Sequence, residues 1–412
     1  MFFKPLRWIL NVGLASFIVI GGAGCARSHF QSPVTSPAKP WTRLNFNNDP
    51  DRFQFVVVSD RTGGVRPGVF EEATRKINLL QPEFVMSVGD LIMGHTTNRA
   101  QIEAEWQEFN GFVDQLEMPF FYVPGNHDIS NPVMAEEWVK RFGQPWYHFV
   151  YRDVLFLCLD TEDPPPTHIS PAQQAYVART LAENPNVRWT LVFMHKPLWD
   201  YPEDTGWANI EALLAKRPHT VLAGHRHTYT KFERNNTSYI VLGTTGAGSK
   251  LRGRAFGEFD QVAWVTMTDQ GPRIANLLLD GIWDENILTQ PMVQTMRSAL
   301  AGKAIRSELL FVKGEFRGGP TFPGATAKLE ISNDADIPMK FSVRFNSTDH
   351  VHAKPAGVEL VLQPKATESI SVQFQVGEPV KVTELAPLTA DWTIVYEFPG
   401  VPPAEIKGRY QW

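Results

Sequence analysis

The sequence predicts a layered α/β domain followed by a smaller all-β sandwich, and three observations carry that prediction. Between residues 53 and 223, nearly continuous apolar runs alternate with longer stretches of helical periodicity, the pattern of strands covered on both faces by helices. After residue 306 the runs are short, alternate strictly between apolar and polar residues, and lose any helical period. The chain has 412 residues, 43% hydrophobic and 20% charged, which is too long for one ordinary domain and apolar enough for real cores, so a disordered or low-complexity chain is excluded.

The first strand is Phe53-Gln54-Phe55-Val56-Val57-Val58, followed by a Gly/Pro loop at 63–68 and a helix at 69–80. Strands are expected at 84–88, 120–123, 154–159, 189–194 and 220–223, with helices at 100–116, 170–181 and 207–215. Ser170 before Pro171 is a good cap and first-turn pair. Beyond 223 the helices stop, and 229–232, 238–242, 261–268 and 273–279 read as antiparallel strands. These elements define a domain over 46–285 and a linker helix within 286–305. A β-sandwich domain follows over 306–412, its strands at 327–331, 340–345, 359–362 and 369–374 separated by turns such as Asn333-Asp334 and Gln363-Pro364.

At the N-terminus, Lys4 and Arg7 precede an apolar run from 8 to 24, the order of a secretory signal. Gly22-Ala23-Gly24 stands directly before Cys25 and resembles the lipobox of bacterial lipoproteins, with Gly22 where that family prefers Leu. The resemblance implies a signal peptide over 1–24, a lipid on the Cys25 thiol and a Ser/Pro-rich tether over 25–45. The expected location is then the bacterial cell envelope, with the membrane as a partner through that lipid. The net charge of −5, from 39 Lys+Arg against 44 Asp+Glu, offers no basic surplus for a phosphate backbone, so no nucleic-acid duplex is expected as a partner. Cys25 and Cys158 are the only cysteines, which excludes a disulfide scaffold and a thiolate zinc site. Metal chemistry must draw on carboxylates, amides and the 11 His.

Such groups gather just after predicted strands. Asp60, Asp90, Asn126-His127-Asp128, His195, and His225 with His227 each follow one, and the carboxyl ends of strands are where ligands bind in α/β sheets. One Asp after a strand is usually a turn or cap residue; this many Asp, Asn and His at successive strand ends is a site signal. Imidazole, carboxylate and amide oxygen without thiolate suit Mn, Fe or Zn.

In order and spacing, Ser59-Asp60, Gly89-Asp90, Gly125-Asn126-His127-Asp128, Met194-His195 and Gly224-His225-Arg226-His227 resemble the calcineurin-like metallophosphoesterases over roughly residues 53–285. The resemblance implies a four-layer fold, a β-sandwich flanked by helices, and two divalent ions (Mn, Fe or Zn) that activate a water to hydrolyse a small-molecule phosphate ester, mono- or diester. It implies Asp90 as the bridging ligand, Asn126, His195 and His225 completing one metal, and Asp60 and His227 the other. His127 would act on the substrate as acid or transition-state stabiliser, positioned by Asp128. The glycines at 89, 125 and 224 are expected to let the backbone turn sharply. Arg61 and Arg66, flanking Gly63-Gly64, are candidates to meet the substrate phosphate.

One departure stands out. The family's first motif is Asp-x-His, and here it reads Asp60-Arg61-Thr62, so the first metal site is expected to be weakened by Thr62. His95, in the loop beyond Asp90, is a candidate to reach in, and Met93 stands where a tyrosinate–iron centre would need Tyr. The expected function is therefore an exported, membrane-tethered phosphate-ester hydrolase. The alternative is a catalytically weakened relative, a lipoprotein that binds an envelope ligand.

Overall fold

A computed structural model of the chain describes residues 42, 44, 46–282, 285–311, 320–378 and 380–412. The predicted signal segment and Cys25 lie outside the described residues. Among those described, no helix is long and apolar enough to cross a membrane. Residues Asp51–Trp412 form one compact unit.

Two mixed sheets face each other. The first has five strands: β1 (Phe53–Val58), β2 (Val85–Ser87), β3 (Phe120–Phe121), β10 (Gln261–Thr268) and β11 (Gly271–Leu278), in the order β11-β10-β1-β2-β3. The second has six: β4 (Tyr147–Tyr151), β5 (Val154–Cys158), β6 (Trp189–Phe193), β7 (His219–Ala223), β8 (Thr230–Arg234) and β9 (Thr237–Val241), in the order β4-β5-β6-β7-β9-β8. β1, β2 and β3 run parallel, as do β5, β6, β7 and β9, so the loops after β1, β2, β3, β6 and β7 emerge at carboxyl ends.

The facing sheets enclose a core in which Phe55, Phe84, Phe156 and Phe193 are buried. Phe156 stacks on Phe149 and Phe193 and meets Phe55 edge-on. Helices α1 (Val69–Leu80), α2 (Arg99–Val113) and α3 (Pro132–Phe142) cover the outer face of the first sheet through Phe70, Trp106 and Trp138. Helices α4 (Pro171–Glu183) and α5 (Trp207–Leu214) cover the second through Val177, Trp207 and Ile210. The result is the expected four-layer arrangement, helix, sheet, sheet, helix. Ser170 caps α4 as predicted, its side chain accepting from the Gln173 N–H.

Within the α/β domain one helix and one strand went unread in the sequence, α3 and β4. α3 is signalled by Asn131, whose side chain accepts from Val133 and Met134, ahead of Pro132 at the first turn. β4 buries none of its five residues fully, so its apolar signal is weak.

The C-terminal region is all-β, as expected. β12 (Ile305–Phe311), β14 (Ala325–Ser332), β16 (Val351–Lys354) and β18 (Thr367–Val376) form one sheet, and β15 (Met339–Asn346), β17 (Gly357–Leu362), β20 (Thr389–Tyr396) and β21 (Ala404–Gln411) another. A two-stranded pair, β13 (Thr321–Phe322) with β19 (Val380–Lys381), accompanies them. Alternate residues of β14 and β15 are buried, and Leu329, Phe341, Val372 and Phe374 share one core. The expected linker helix is two short ones, α6 (Gln290–Thr295) and α7 (Arg297–Leu300); Met296 and Ala299 are buried in this same core.

Candidate metal centre

Three loops after parallel strands of the first sheet and two of the second deliver the side chains. β1 ends into Asp60, β2 into Asp90, β3 into Asn126 and His127, β6 into His195, and β7 into His225 and His227. The parallel order of these strands puts all five loops at one end of the sandwich.

Two groups of donor atoms result: Asp90, His195 and His225 in one, and Asp60, Asp90 and His227 in the other, each with its ligand atoms within 4.8 Å of one another. Asp90 belongs to both. Asn126 joins the first group, its Oδ1 3.0 Å from Nε2 of His195. That same Nε2 lies 3.2 Å from Nδ1 of His225 and 3.1 Å from Oδ2 of Asp90. In the second group, Nε2 of His227 is 3.4 Å from Oδ1 of Asp60.

These spacings test whether a cation fits. Metal–nitrogen and metal–oxygen bonds of about 2.0–2.2 Å place neighbouring ligand atoms about 3.0–3.4 Å apart around a shared ion. One imidazole nitrogen cannot satisfy three partners by hydrogen bonding, since it carries one hydrogen or one lone pair. A cation at the centre accounts for all of them, and the imidazole, carboxylate and amide donors suit a divalent metal.

The imidazoles are oriented from behind. Nδ1 of His195 sits 2.9 Å from the Val88 carbonyl and Nδ1 of His227 2.8 Å from that of Gly248, so each Nδ1–H donates to backbone and each Nε2 is free to ligate. Asp60 is aimed by the His225 N–H, which donates to Oδ1 at 2.7 Å, and by the Ser59 hydroxyl, which donates to Oδ2. Asp90 accepts the His127 N–H on Oδ1 at 2.8 Å. The loop 243–249 closes this side, with Thr245 and Ala247 donating backbone N–H groups to the Asp60 carbonyl.

Burial alone would lower His195, but the Asp90 carboxylate and, more weakly, Asp60 outweigh it and push the imidazole up to about 9. Burial would raise Asp90, yet His195 and His127 hold it well below the usual carboxylate range. Burial and the neighbouring His195 push His225 down to about 4.

Backbone strain marks the same residues. Asp90, His225 and His227 all have left-handed φ, at 59°, 72° and 51°. Of the three glycines expected to turn the chain, Gly89 alone does so by conformation, at φ 96°. Gly125 and Gly224 are required by space, since a Cβ on Gly125 would lie 2.3 Å from Oδ1 of Asp90 and one on Gly224 2.4 Å from Oδ2 of Asp60.

Three expectations are corrected, those for Asp128, Arg61 and Arg66. Asp128 does not touch the His127 ring; its two oxygens accept backbone N–H groups from Asp90, Leu91, Ile92 and Gly125, so it fixes the loop after β2. The His127 ring is held by the Met93 carbonyl, 2.6 Å from Nδ1. Arg61 is 4% exposed and turns onto α2, donating to the Leu91 carbonyl, pairing with Glu108 and lying over Phe112. Arg66 is bound bidentately to Asp260 and donates to the Ala247 carbonyl, so neither guanidinium faces the cluster as a phosphate ligand. His95 joins neither donor group; its ring meets that of His127 edge-on at 4.3 Å. The Thr62 hydroxyl donates to the Asp90 carbonyl at 3.1 Å, which accounts for its burial without metal duty. Trp199 and Trp207 pack on Tyr239, and Cys158 lies buried between the sheets, its thiol pushed up to about 12 by burial.

Residues 53–229 match the family model described as calcineurin-like phosphoesterase. Among curated proteins, none matches the chain. Solved structures similar to it include a dimetal phosphatase from Danio rerio, 13% identical, covering 55% of this chain and 99% of that one at a TM-score of 0.39. A purple acid phosphatase from yellow lupin seeds is 14% identical, covering 56% of this chain and 52% of its own at a TM-score of 0.44.

Proposed function

Residues 53–229 are a calcineurin-like phosphoesterase domain, and from that premise we propose that the chain hydrolyses phosphate esters, mono- or diesters, with divalent metal. The observation that carries the reading is the convergence of Asp90, Asn126, His195 and His225 on one point at 3.0–3.2 Å, with Asp90 shared by the Asp60–His227 group. One ion would be held by Asp90, Asn126, His195 and His225, and the other by Asp60, Asp90 and His227. Bound there, the ions would supply charge neutralisation and an acidified water.

His127 handles the substrate proton. With Nδ1–H donated to Met93, its Nε2 faces the cleft: a methyl placed on Gly63 would lie 3.6 Å from that nitrogen and 3.1 Å from Nε2 of His227. An acid at that point can protonate the departing alkoxide. Asp128 contributes by holding the Asp90 turn. Thr62 leaves the Asp60–His227 site one imidazole short of the family pattern, so that site binds its ion more weakly. This departure also favours a second reading, in which the chain binds its ester without turning it over.

The lipobox-like run before Cys25 supports export and a lipid tether in the bacterial cell envelope. Release of p-nitrophenol from mono- and bis-p-nitrophenyl phosphate, with Mn, Zn or Fe added, tests the enzyme reading. Turnover that is lost in Asn126→Ala and His127→Ala supports it; turnover unchanged in both, or absent in the wild type with every metal, overturns it.

A further inference from the structure

A trench of about 910 Å³ lies between α3 and the loop 160–166. One wall is a helix face, where Pro132, Ala135 and Val139 stand three and four residues apart, and Val139 is 52% exposed although apolar. Pro145, Trp146 and Pro166 supply further apolar lining. Of its four carboxylates, Glu162 pairs with Lys196 at 2.7 Å, Glu136 with Arg99 at 2.6 Å, Asp163 accepts the Ser170 N–H and the Gln173 amide, and burial pushes Asp160 up to about 7. With these groups engaged, the trench offers a ligand mainly apolar contact, Lys140 and Gln144 being further polar lining.

Its near end approaches the candidate metal centre, for Glu162 in its lining feels the charges of His195 and Asp90. Ile129 and Ser130 line it and stand two and three residues beyond His127, within about 11 Å of that residue by chain reach alone. On the other side, Glu162 lines it and is bonded to Lys196, the neighbour of His195. The trench is thus bounded on one side by the continuation of the turn that carries His127 and on the other by Glu162, which is tied to the residue after His195. Its volume is within the range that encloses a whole organic ligand and far above the need of a phosphate group.

We propose that this trench receives the alcohol portion of the substrate, and that the substrate class is phosphate esters of apolar alcohols with an alkyl chain of several carbons. The inference rests on the phosphoesterase reading and narrows it. Against Pro132, Ala135, Val139, Trp146 and Pro166, sugar and nucleoside hydroxyls would lose hydration that Lys140 and Gln144 replace only in part.

The test uses the full chain with Mn²⁺ and the series ethyl, butyl and octyl phosphate. Dissociation constants are measured by calorimetry and turnover by phosphate release, in wild type, Val139→Glu and Pro166→Glu. Both substitutions are at exposed positions of the trench, so folding is retained. At about fourfold per buried methylene, affinity rises at least fiftyfold from ethyl to octyl phosphate in the wild type. Each variant flattens that rise, with ethyl phosphate unaffected. Equal affinity across the series, no binding, or a rise that survives both variants overturns the inference. Turnover of all three esters with no chain-length dependence removes the trench and leaves the phosphoesterase reading. A chain-length-dependent affinity with no phosphate released keeps the trench as an alkyl phosphate site and removes the hydrolysis.

Discussion

Replacing His127 with Ala removes the imidazole whose Nε2 faces the cleft and its bond to the carbonyl of the half-exposed Met93, while the backbone N–H of residue 127 still donates to Asp90. Turnover is expected to fall about 10²–10⁴-fold, the contribution of a positioned acid, with the thermal midpoint held. Its neighbour behaves oppositely. Asp128→Ala strands the N–H groups of Asp90, Leu91, Ile92 and Gly125 in a buried site, at about 1–3 kcal/mol each, so the midpoint should drop steeply and activity with it. Thermal denaturation of the two variants separates the roles; equal loss of stability in both would refute the assignment. His195 sets the pH behaviour. In the metal-free protein its pKa is raised to about 9 from an ordinary value near 6.5. Its stabilising contribution is therefore complete below about pH 6.5 and is lost as pH rises through 9. A metal needs the neutral ring, so binding expels that proton, and Mn²⁺ affinity measured by calorimetry should climb between pH 6.5 and 9. A flat profile would mean that His195 is not a ligand.

The loops after the strands were legible because each carries a polar residue that its neighbours cannot explain, and the strands because long apolar runs admit no other reading. α3 was legible, since Asn131, Pro132 and the four-residue spacing of the buried Met134 and Trp138 all signal a helix, whereas β4 is an edge strand that buries none of its residues fully. What no sequence period encodes is the partner of a side chain. Arg61 and Arg66 lie beside the site in the chain, yet α2 and Asp260 claim their guanidiniums. Asp128 follows His127, yet its oxygens meet backbone from the loop after β2. The role of Gly224 was likewise read as conformational and is steric. Gly224→Ala should displace Asp60 and release the ion proposed for the Asp60–His227 group while far-ultraviolet circular dichroism stays unchanged. Retention of full metal content in that variant would show that the loop after β7 tolerates a side chain. Within the sheets, Phe156→Ala opens a cavity among Phe55, Phe84, Phe149 and Phe193 and should cost about 3–5 kcal/mol in denaturant melts.

Across the molecule, the two facing sheets position one end as a site, and the all-β region buries its own core around Leu329, Phe341 and Phe374. The site's geometry converges on a single side chain. Asp90 contributes to both donor groups, accepts the His127 N–H and lies beside His195, so the claim that these residues form one shared metal centre stands or falls with it. Metal content per chain, measured by elemental analysis after equilibration with excess Mn²⁺ and gel filtration, tests this most directly. Asp90→Ala is expected to lose both ions, whereas His227→Ala loses one and keeps the ion assigned to Asn126, His195 and His225. An Asp90→Ala protein that folds and still retains the wild-type metal content would contradict it.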